Sequence, residues 1–530
     1  MKKVELVKEL LKITFNGLGF NMNLNLVKSL SGRKFVGKTR PVYWTCPPSF
    51  ENIEKLIEWE FNLDKKVITL FDKMNEKVEV QIDSIPGFER MYPFQLKGVE
   101  FLEMMGGRAL IGDEMGLGKT IQALGYLALH PELRPAVIIC PASLKLNWEK
   151  EIWNWMQVPA LVLSGNYKKL GFNHLENIIV INYDILDSWA DFLVSLNPSC
   201  LIIDEAHMIK NQKAKRSKAV KKLAKKVDHV IGLTGTPIIN RPSEFFAILN
   251  LLNKNEWPSF WGYAHKYCGA KHNGFGWDFN GSSNVEKLNE ALKRTMIRRL
   301  KSEVLPELPA KVRTVIPLEI TNRAEYNKAV QDFADLMDSD SDDTPPAVQL
   351  TRIEALKQLV VEGKIKACIN WISDFLESGE KLVVFCTHKK VVNQLMDEFG
   401  HMGVKVDGSV KTTDRHESVR LFQEHPECKV FIGNIKAAGV GLTLTAASST
   451  AFIELPWEPA AADQAEDRVH RIGQEADSVN AYYLLGQNTI DMEIAELLDE
   501  KRKVLDSVLD GKETEETGLL TELMNRIMGD

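Results

Sequence analysis

The segment Ile111-Gly-Asp-Glu-Met-Gly-Leu-Gly-Lys-Thr120 limits what this chain can fold into more than any other stretch. Ala109, Leu110 and Ile111 before it read as the end of a strand, and Ile121, Leu124 and Leu127 after it keep helical spacing. Strand, glycine turn and helix together make the setting of a phosphate-binding loop. Backbone N–H groups at Gly116 and Gly118 can close on phosphate oxygens, helped by the partial positive charge of the helix N-terminus. Lys119 is placed to reach the outer phosphates of ATP, and the Thr120 hydroxyl to hold Mg²⁺. The generic pattern asks for glycine at position 113, where this chain has Asp113.

A chain of 530 residues exceeds one ordinary core, so two or three domains are expected. The formal charge of -6 gives no global basic field, and any affinity for nucleic acid must come from local patches. Residues 1–45 hold nine Lys/Arg against two acids, and residues 210–226 hold nine basic residues and no acid. Basic residues interleaved with Phe35, Tyr43 and Trp44 suit a nucleic-acid surface, and equally a solvated face over an ordinary core. The seven cysteines lie far apart with no C-x-x-C pair, which argues against a zinc ribbon or a disulfide framework and suits a reducing compartment. No apolar run approaches membrane-spanning length, so a soluble intracellular protein is expected.

Along the chain, residues 1–85 read as a small α+β module, with a helix near 23–30, a hairpin over 32–37, a strand at Tyr43-Trp44 and a helix over 51–59. From residue 86, short apolar runs alternate with helices, the signature of a parallel sheet, with strands near 109–112, 136–140, 178–182, 200–204 and 230–234. The alternation stops over roughly 240–360, which includes the acidic segment Asp338-Ser-Asp-Ser-Asp-Asp-Thr-Pro-Pro346. It resumes near 382–386, 404–406, 430–433, 451–455 and 479–485. A single amphipathic helix over 491–509 and a Glu/Thr-rich tail end the chain.

Asp204-Glu-Ala-His207 follows the strand Leu201-Ile-Ile. Asp204 at the strand end is placed to hold Mg²⁺, and Glu205 to orient an attacking water. His207 either couples the two halves of the protein or satisfies local hydrogen bonds. Leu233-Thr-Gly-Thr-Pro-Ile238 comes next, with hydroxyls that can touch both the nucleotide and whatever the protein grips. In the second block, Ala438-Gly-Val-Gly-Leu-Thr-Leu-Thr445 precedes Gln464-Ala-Glu-Asp-Arg-Val-His-Arg-Ile-Gly-Gln474. Arg468 and Arg471 share a face if that segment is helical. Brought against the nucleotide from another lobe, they would stabilise the transferring phosphoryl group; alone, they would read as a surface pair bridged to Glu466 or Asp467.

The ordered series resembles the superfamily-two helicases, and in particular the Swi/Snf family of double-stranded-DNA translocases. Asp113-Glu-Met-Gly-Leu-Gly-Lys-Thr120 is that family's form of the loop, which accounts for Asp113. Pro141-Ala-Ser-Leu-Lys-Leu-Asn-Trp148, Ile181-Asn-Tyr-Asp184, Ile209-Lys-Asn211, Arg298-Arg-Leu-Lys301 and Leu308-Pro309 match it in order, and the resemblance covers about residues 92–505. It implies that Gln95 reads the adenine edge, that Gly441 lies at the nucleotide, and that DNA is contacted by Ser143, Lys145, Trp148, Asn182, Lys210, Asn211, Thr236, Thr387, His388 and Thr443. Among the basic residues 210–226, Lys210 and Asn211 are assigned to DNA and most lysines beyond Lys218 to a solvated face.

Within the family, Met91-Tyr-Pro-Phe-Gln-Leu-Lys-Gly-Val99 and Glu500-Lys-Arg-Lys-Val-Leu505 resemble the annealing-helicase branch, whose members carry a HepA-related domain before the motor. Lys28-Ser-Leu-Ser-Gly-Arg-Lys-Phe35, leading to Tyr43-Trp44, is similar to that domain. The implied fold is α/β, with two RecA-like parallel-sheet lobes, helical insertions and a small α+β N-terminal domain. The domains are then 1–85 (HepA-related-like, DNA-binding), 86–310 (lobe 1 with helical protrusion), 311–363 (helical linker with acidic loop), 364–490 (lobe 2) and 491–530 (brace helix and tail). The implied activity is ATP-dependent translocation on duplex DNA, with ATP bound between the lobes. Forked or bubbled DNA would be remodelled or reannealed, or bound proteins displaced, by a monomer without sequence preference. A strand-separating helicase and a DNA clamp without turnover are the competing classes. Location would be cytoplasmic and nucleoid-associated in a prokaryote or phage, and nuclear in a eukaryote.

Overall fold

The computed structural model describes residues 2–509 apart from 17–19, 38–40, 76–78, 82–83, 86, 166–177, 237–241, 273–275, 280, 340–345 and 440. The acidic segment over 340–345 and the Glu/Thr-rich tail thus lie outside the described residues. The chain divides into two units, the first taking in Met1–Asp113 and Gly118–Arg299, the second Glu114–Leu117 and Leu300–Ser507.

The first unit begins with a module the sequence only partly announces. Lys2–Val7 and Leu10–Phe15 pair antiparallel around Lys8 and Glu9, both at positive φ, as a two-residue hairpin turn requires. Further strands extend the sheet to the order Lys34–Val36, Tyr43–Cys46, Leu10–Phe15, Lys2–Val7, Asn62–Leu63. Alternation sends Val4, Leu11 and Ile13 inward, where they meet Val27, Ile53, Leu56 and Val67 from three helices. Ser49 caps the second of these, Phe50–Glu58, by accepting the Asn52 N–H.

That helix is also where the module meets the rest of its unit. Glu256 accepts the Phe50 backbone N–H, Lys266 bridges Glu51 at 2.8 Å, and the Arg294 guanidinium lies 3.4 Å from the Phe50 ring centroid. Glu51, Glu256, Lys266 and Arg294 line a cavity of ≈ 500 Å³. Burial pushes the Glu256 carboxyl from its ordinary 4.5 up to about 7, against the pull of the Phe50 N–H. The folded state therefore holds a proton that the unfolded chain releases. The contribution of Glu256 to stability falls as pH rises from 4.5 to about 7 and is flat above. Because the carboxyl lines an open cavity, water tempers the effect to about 1–2 kcal/mol. Glu256→Gln should raise the first unit's Tm at pH 7.5 and flatten its decline between pH 5 and 7.5. An unchanged melting profile would mean that Glu256 is not held protonated.

Seven parallel strands form the main sheet of this unit, in the order Met296–Ile297, Arg108–Ile111, His229–Leu233, Cys200–Asp204, Ala136–Cys140, Ile178–Asn182, Ala160–Val162. Ala136–Cys140, Ile178–Asn182 and Cys200–Asp204 are buried at every residue, which is why they read as unbroken apolar runs. The two edge strands, of two and three residues, escape a reading based on runs. Between Pro242 and Leu292 come the helices Pro242–Leu252, Phe260–Tyr267 and Val285–Leu292, with a small hairpin of Lys271–His272 and Trp277–Asp278.

In the second unit six parallel strands run Ala310–Leu318, Ser478–Gly486, Ser449–Phe452, Leu382–Cys386, Val430–Asn434, Gly403–Val406. Successive residues of Leu382–Cys386 serve two cores. Val383 and Phe385 join Phe431, Phe452 and Tyr483 on one face, and Leu382, Val384 and Cys386 join Ile432 and Leu484 on the other. Ala310–Leu318 falls where the sequence pattern gives a helical linker. Its charges and Pro317 hide it, and both are tolerated because its described pairing is on one side only. Lys364 of the helix Pro346–Leu376, wholly buried, donates to Asp491 and to the Leu484 carbonyl, tying in the final helix Ile490–Leu509.

Candidate nucleotide site

In the first unit the strand Arg108–Ile111 leads into the loop, and the helix Lys119–Leu129 leaves it. Gly118 caps that helix at φ 75°, and a Cβ there would stand 2.3 Å from Gln95 Nε2, so only glycine fits. Gln95 itself is buried, and its side-chain oxygen accepts the Tyr92 N–H. Lys119 donates from Nζ to the Asp113 carbonyl at 2.8 Å. The Asp113 carboxylate is fully buried, accepting from Arg299 Nε at 3.0 Å, from Arg299 Nη2, and from Gln122 Nε2 at 2.9 Å. A carboxylate so committed shapes the loop, and what it offers a nucleotide is the position of the backbone around it. Arg299, whose motif Arg298-Arg-Leu-Lys301 carried no assigned role, and Gln122, which stood in no motif, are therefore part of the site's support. The Arg298-Arg299 pair directly after Met296–Ile297 was the signal for Arg299.

At the end of Cys200–Asp204, Asp204 accepts from Trp148 Nε1 at 2.8 Å and from the Glu205 N–H at 2.9 Å, and its carbonyl takes the Tyr183 hydroxyl at 2.6 Å. Burial first, and the Glu205 charge second, push the Asp204 carboxyl up to about 7. A buried carboxyl whose charge is so disfavoured suits a divalent cation, and Thr120 supplies an oxygen of the hard type Mg²⁺ takes. Glu205 is in the left-handed region at φ 49°, a conformation disfavoured for a side-chain-bearing residue and frequent at functional sites. His207 Nδ1 is 3.1 Å from Thr234 Oγ1, 3.5 Å from Thr236 Oγ1 and 3.3 Å from Glu205 Oε2. The two motifs of the first sheet thus meet at this imidazole.

In the second unit the helix Pro459–Glu466 ends before Arg468, so both arginines lie in turns rather than on one helical face. They converge nonetheless, Arg468 Nη1 at 3.3 Å and Arg471 Nη1 at 3.2 Å from the Leu442 carbonyl, beside Gly441 at φ 77°. The turn Glu114–Leu117 belongs to this unit, and in it a Cβ on Gly116 would come 3.0 Å from the Arg471 Cβ. Glu466 and Asp467 are held by residues from the strand Ala310–Leu318 and its approach. Lys311 is 2.8 Å from Glu466 and 3.2 Å from Asp467, Arg313 is 2.7 Å from Glu466, Lys301 is 2.8 Å from Asp467, and the Tyr483 hydroxyl donates to Glu466 at 2.6 Å. Burial alone would raise the Glu466 carboxyl; Lys311 and Arg313 outweigh it and hold it at about 2.

The residues assigned to DNA divide by exposure. Trp148 is 1% exposed and donates to Asp204, so its indole is engaged with the acid. Asn182 is likewise buried, donating to Asp184 at 3.0 Å. Ser143, Lys145, Lys210, Thr236, Thr387 and His388 are half-buried, and Asn211 and Thr443 exposed. Lys145 donates to the Leu163 carbonyl, Lys210 pairs with Glu244 at 3.4 Å, and the backbone N–H groups of Thr387 and His388 both reach buried Glu454.

A model of the SNF2-related domain matches residues 57–395, more than half of the chain, and one of the helicase conserved C-terminal domain matches residues 363–473. This chain belongs to the SNF2-related family. Members similar to it include the DNA annealing helicase and endonuclease ZRANB3 of Bos taurus, 35% identical over 82% of this chain and 42% of its own length. The SWI/SNF-related matrix-associated actin-dependent regulator of chromatin subfamily A-like protein 1 of Xenopus laevis is 34% identical over 91% of this chain and 52% of its own. This SNF2-related chain spans about half the length of these curated relatives. A solved structure described as the Sulfolobus solfataricus SWI2/SNF2 ATPase core in complex with dsDNA aligns over 82% of this chain and 94% of its own, at 26% identity and a TM-score of 0.39.

Proposed function

We propose that this SNF2-related chain is an ATP-dependent translocase on double-stranded DNA that remodels or reanneals forked and bubbled substrates or displaces bound proteins. The observation that carries the reading is the geometry at the first unit's strand ends. A left-handed glycine turn delivers Lys119 at a helix N-terminus, and buried Asp204 with strained Glu205 ends the strand Cys200–Asp204. Lys119 exchanges the Asp113 carbonyl for phosphate oxygens, while Thr120 and Asp204 would hold Mg²⁺, which would supply charge neutralisation at the phosphates. Glu205 orients the attacking water and takes its proton, and Arg468 and Arg471 stabilise the charge that develops on the transferring group. Changes in the grip of the two units through the ATP cycle drive movement along the duplex. Half-buried and exposed polar groups such as Ser143, Asn211 and Thr443 position the backbone without reading bases, so binding is sequence-independent and salt-sensitive.

The names of the relatives, annealing helicase and chromatin regulator, support the forked-DNA task and, for a eukaryotic host, a nuclear setting. No described helix is long and apolar enough to cross a membrane. The protein acts as a monomer in this reading. Steady-state ATP hydrolysis compared across single-stranded, duplex and forked DNA tests it, with Lys119→Ala as control. Duplex and fork should stimulate turnover above single strands, and Lys119→Ala should abolish it. Equal stimulation by all three, or a preference for RNA, would count against the reading.

A further inference from the structure

Lys301, the first residue of the short helix Lys301–Val304, keeps almost no contact with water, its side chain being 4% exposed. Its ammonium donates to Asp467 Oδ1 at 2.8 Å and to the His470 carbonyl at 2.7 Å. Asp467 directly precedes Arg468 and His470 directly precedes Arg471, so one side chain grips the chain just ahead of each arginine. The same lysine also reaches the turn Glu114–Leu117. Its backbone N–H donates to Glu114 Oε2 at 2.7 Å, and its Nζ lies 3.8 Å from Glu114 Oε1. A Cβ on Gly116 would stand 3.4 Å from Lys301 Cε and 3.0 Å from Arg471 Cβ, so the lysine stem and Arg471 border the same glycine. All of these residues belong to the second unit, and the turn leads through Gly118 into Lys119.

Stability alone does not call for a charge at this position. Desolvation offsets most of what a buried ion pair gains, and an apolar side chain of similar volume often serves as well. Burial works to discharge the Lys301 ammonium, with Asp467 opposing it. Asp467 has a second cation in any case, for Lys311 stands 3.2 Å away. Lys311 gives its other contact to Glu466 at 2.8 Å, whereas Lys301 turns toward Glu114. What Lys301 adds is therefore a link of fixed length between the arginine segment and the turn. We propose that Lys301 is a positioning residue for ATP hydrolysis, a strut that keeps Arg471 in register with the turn Glu114–Leu117 and so with the lysine into which that turn leads. It touches no reacting atom and exchanges no proton; it acts through Arg471. The inference rests on the motor reading and adds to it the part that sets where the arginine stands. A misplacement of about 1 Å costs about 10²-fold in rate, which fixes the size of effect to look for.

Two variants of the full chain test it. Lys301→Met keeps the stem and removes the charge, and Glu114→Ala removes the turn's end of the strut while leaving the Lys301–Asp467 pair intact. Single-turnover hydrolysis with duplex DNA should slow by about 10- to 100-fold in Lys301→Met and by a smaller factor in Glu114→Ala, with fluorescent-nucleotide affinity within about threefold of wild type. Because the strut acts through Arg471, Lys301→Met combined with Arg471→Ala should be slower than Arg471→Ala alone by no more than about threefold. Lys301→Met should also trap ADP–aluminium fluoride less tightly while holding ADP as wild type does. Rate losses that multiply in the double variant would give Lys301 a role apart from Arg471 and overturn the inference. A Lys301→Met rate within about threefold of wild type overturns it too, as does a loss of nucleotide affinity in step with the rate, which marks general damage. Should Lys301→Met melt too low to assay, Glu114→Ala with and without Arg471→Ala carries the same cycle, and a wild-type rate in Glu114→Ala overturns the inference. A wild-type chain whose ATP hydrolysis no DNA stimulates overturns the motor reading and the inference with it.

Discussion

Arg471→Ala should lower DNA-stimulated ATP hydrolysis by about 10³- to 10⁵-fold while changing nucleotide affinity by only a few fold. A guanidinium that meets charge developing on a transferring phosphoryl group acts chiefly in the transition state, so its loss appears in kcat rather than in binding. Its side chain hangs from the Leu442 carbonyl that also holds Arg468, and it stands beside Gly116 of the phosphate loop's turn. Arg471→Lys should recover little, because an ammonium cannot reproduce the planar fork. Single-turnover hydrolysis with duplex DNA, alongside a fluorescent-nucleotide titration, separates the two effects. A variant that turns over within tenfold of wild type would remove Arg471 from the chemistry.

The second large effect should come from Glu466→Ala. Its carboxylate is fully buried and is met by Lys311, Arg313 and the Tyr483 hydroxyl, so truncation removes the acceptor they share and leaves Lys311 to Asp467 and Arg313 to Asp463. Removing one member of a buried ion cluster costs about 3–5 kcal/mol, and the partial exposure of Arg313 places this case near the lower figure. The second unit's melting transition should fall by roughly 6–12 °C. The carboxyl is held at about 2 when folded against 4.5 ordinarily, so its contribution is complete above pH 4.5 and fades as pH drops toward 2. Thermal melts of wild type and variant should therefore converge in acid. A variant that melts with wild type at pH 7 would show the cluster to be energetically idle.

Strands buried on both faces were legible in the amino acids, since Ala136–Cys140, Ile178–Asn182, Cys200–Asp204 and Leu382–Cys386 carry no polar residue to break their interiors. Edges were not, because Ala310–Leu318 alternates lysine, arginine and valine around a proline and looks like linker. At the site, the loop from 111 to 120 and the acid at 204 were readable because local order and spacing define them. What holds them was not, since Arg299 reaches Asp113 across 186 positions and Arg313 reaches Glu466 across 153. No periodicity encodes such pairings. The Trp148 bond to Asp204 is a pairing of the same kind.

The salt link from Arg299 to Asp113 also sets an order of events during synthesis. A ribosome that has reached Asp113 must add a further 186 residues, roughly 10–40 s of elongation, before the arginine that props it exists. The edge strand Met296–Ile297, which pairs with the strand feeding the loop, arrives only just ahead of it. A nascent chain therefore carries the Asp113 loop without its Arg299 prop until the last strand of its first sheet has been made.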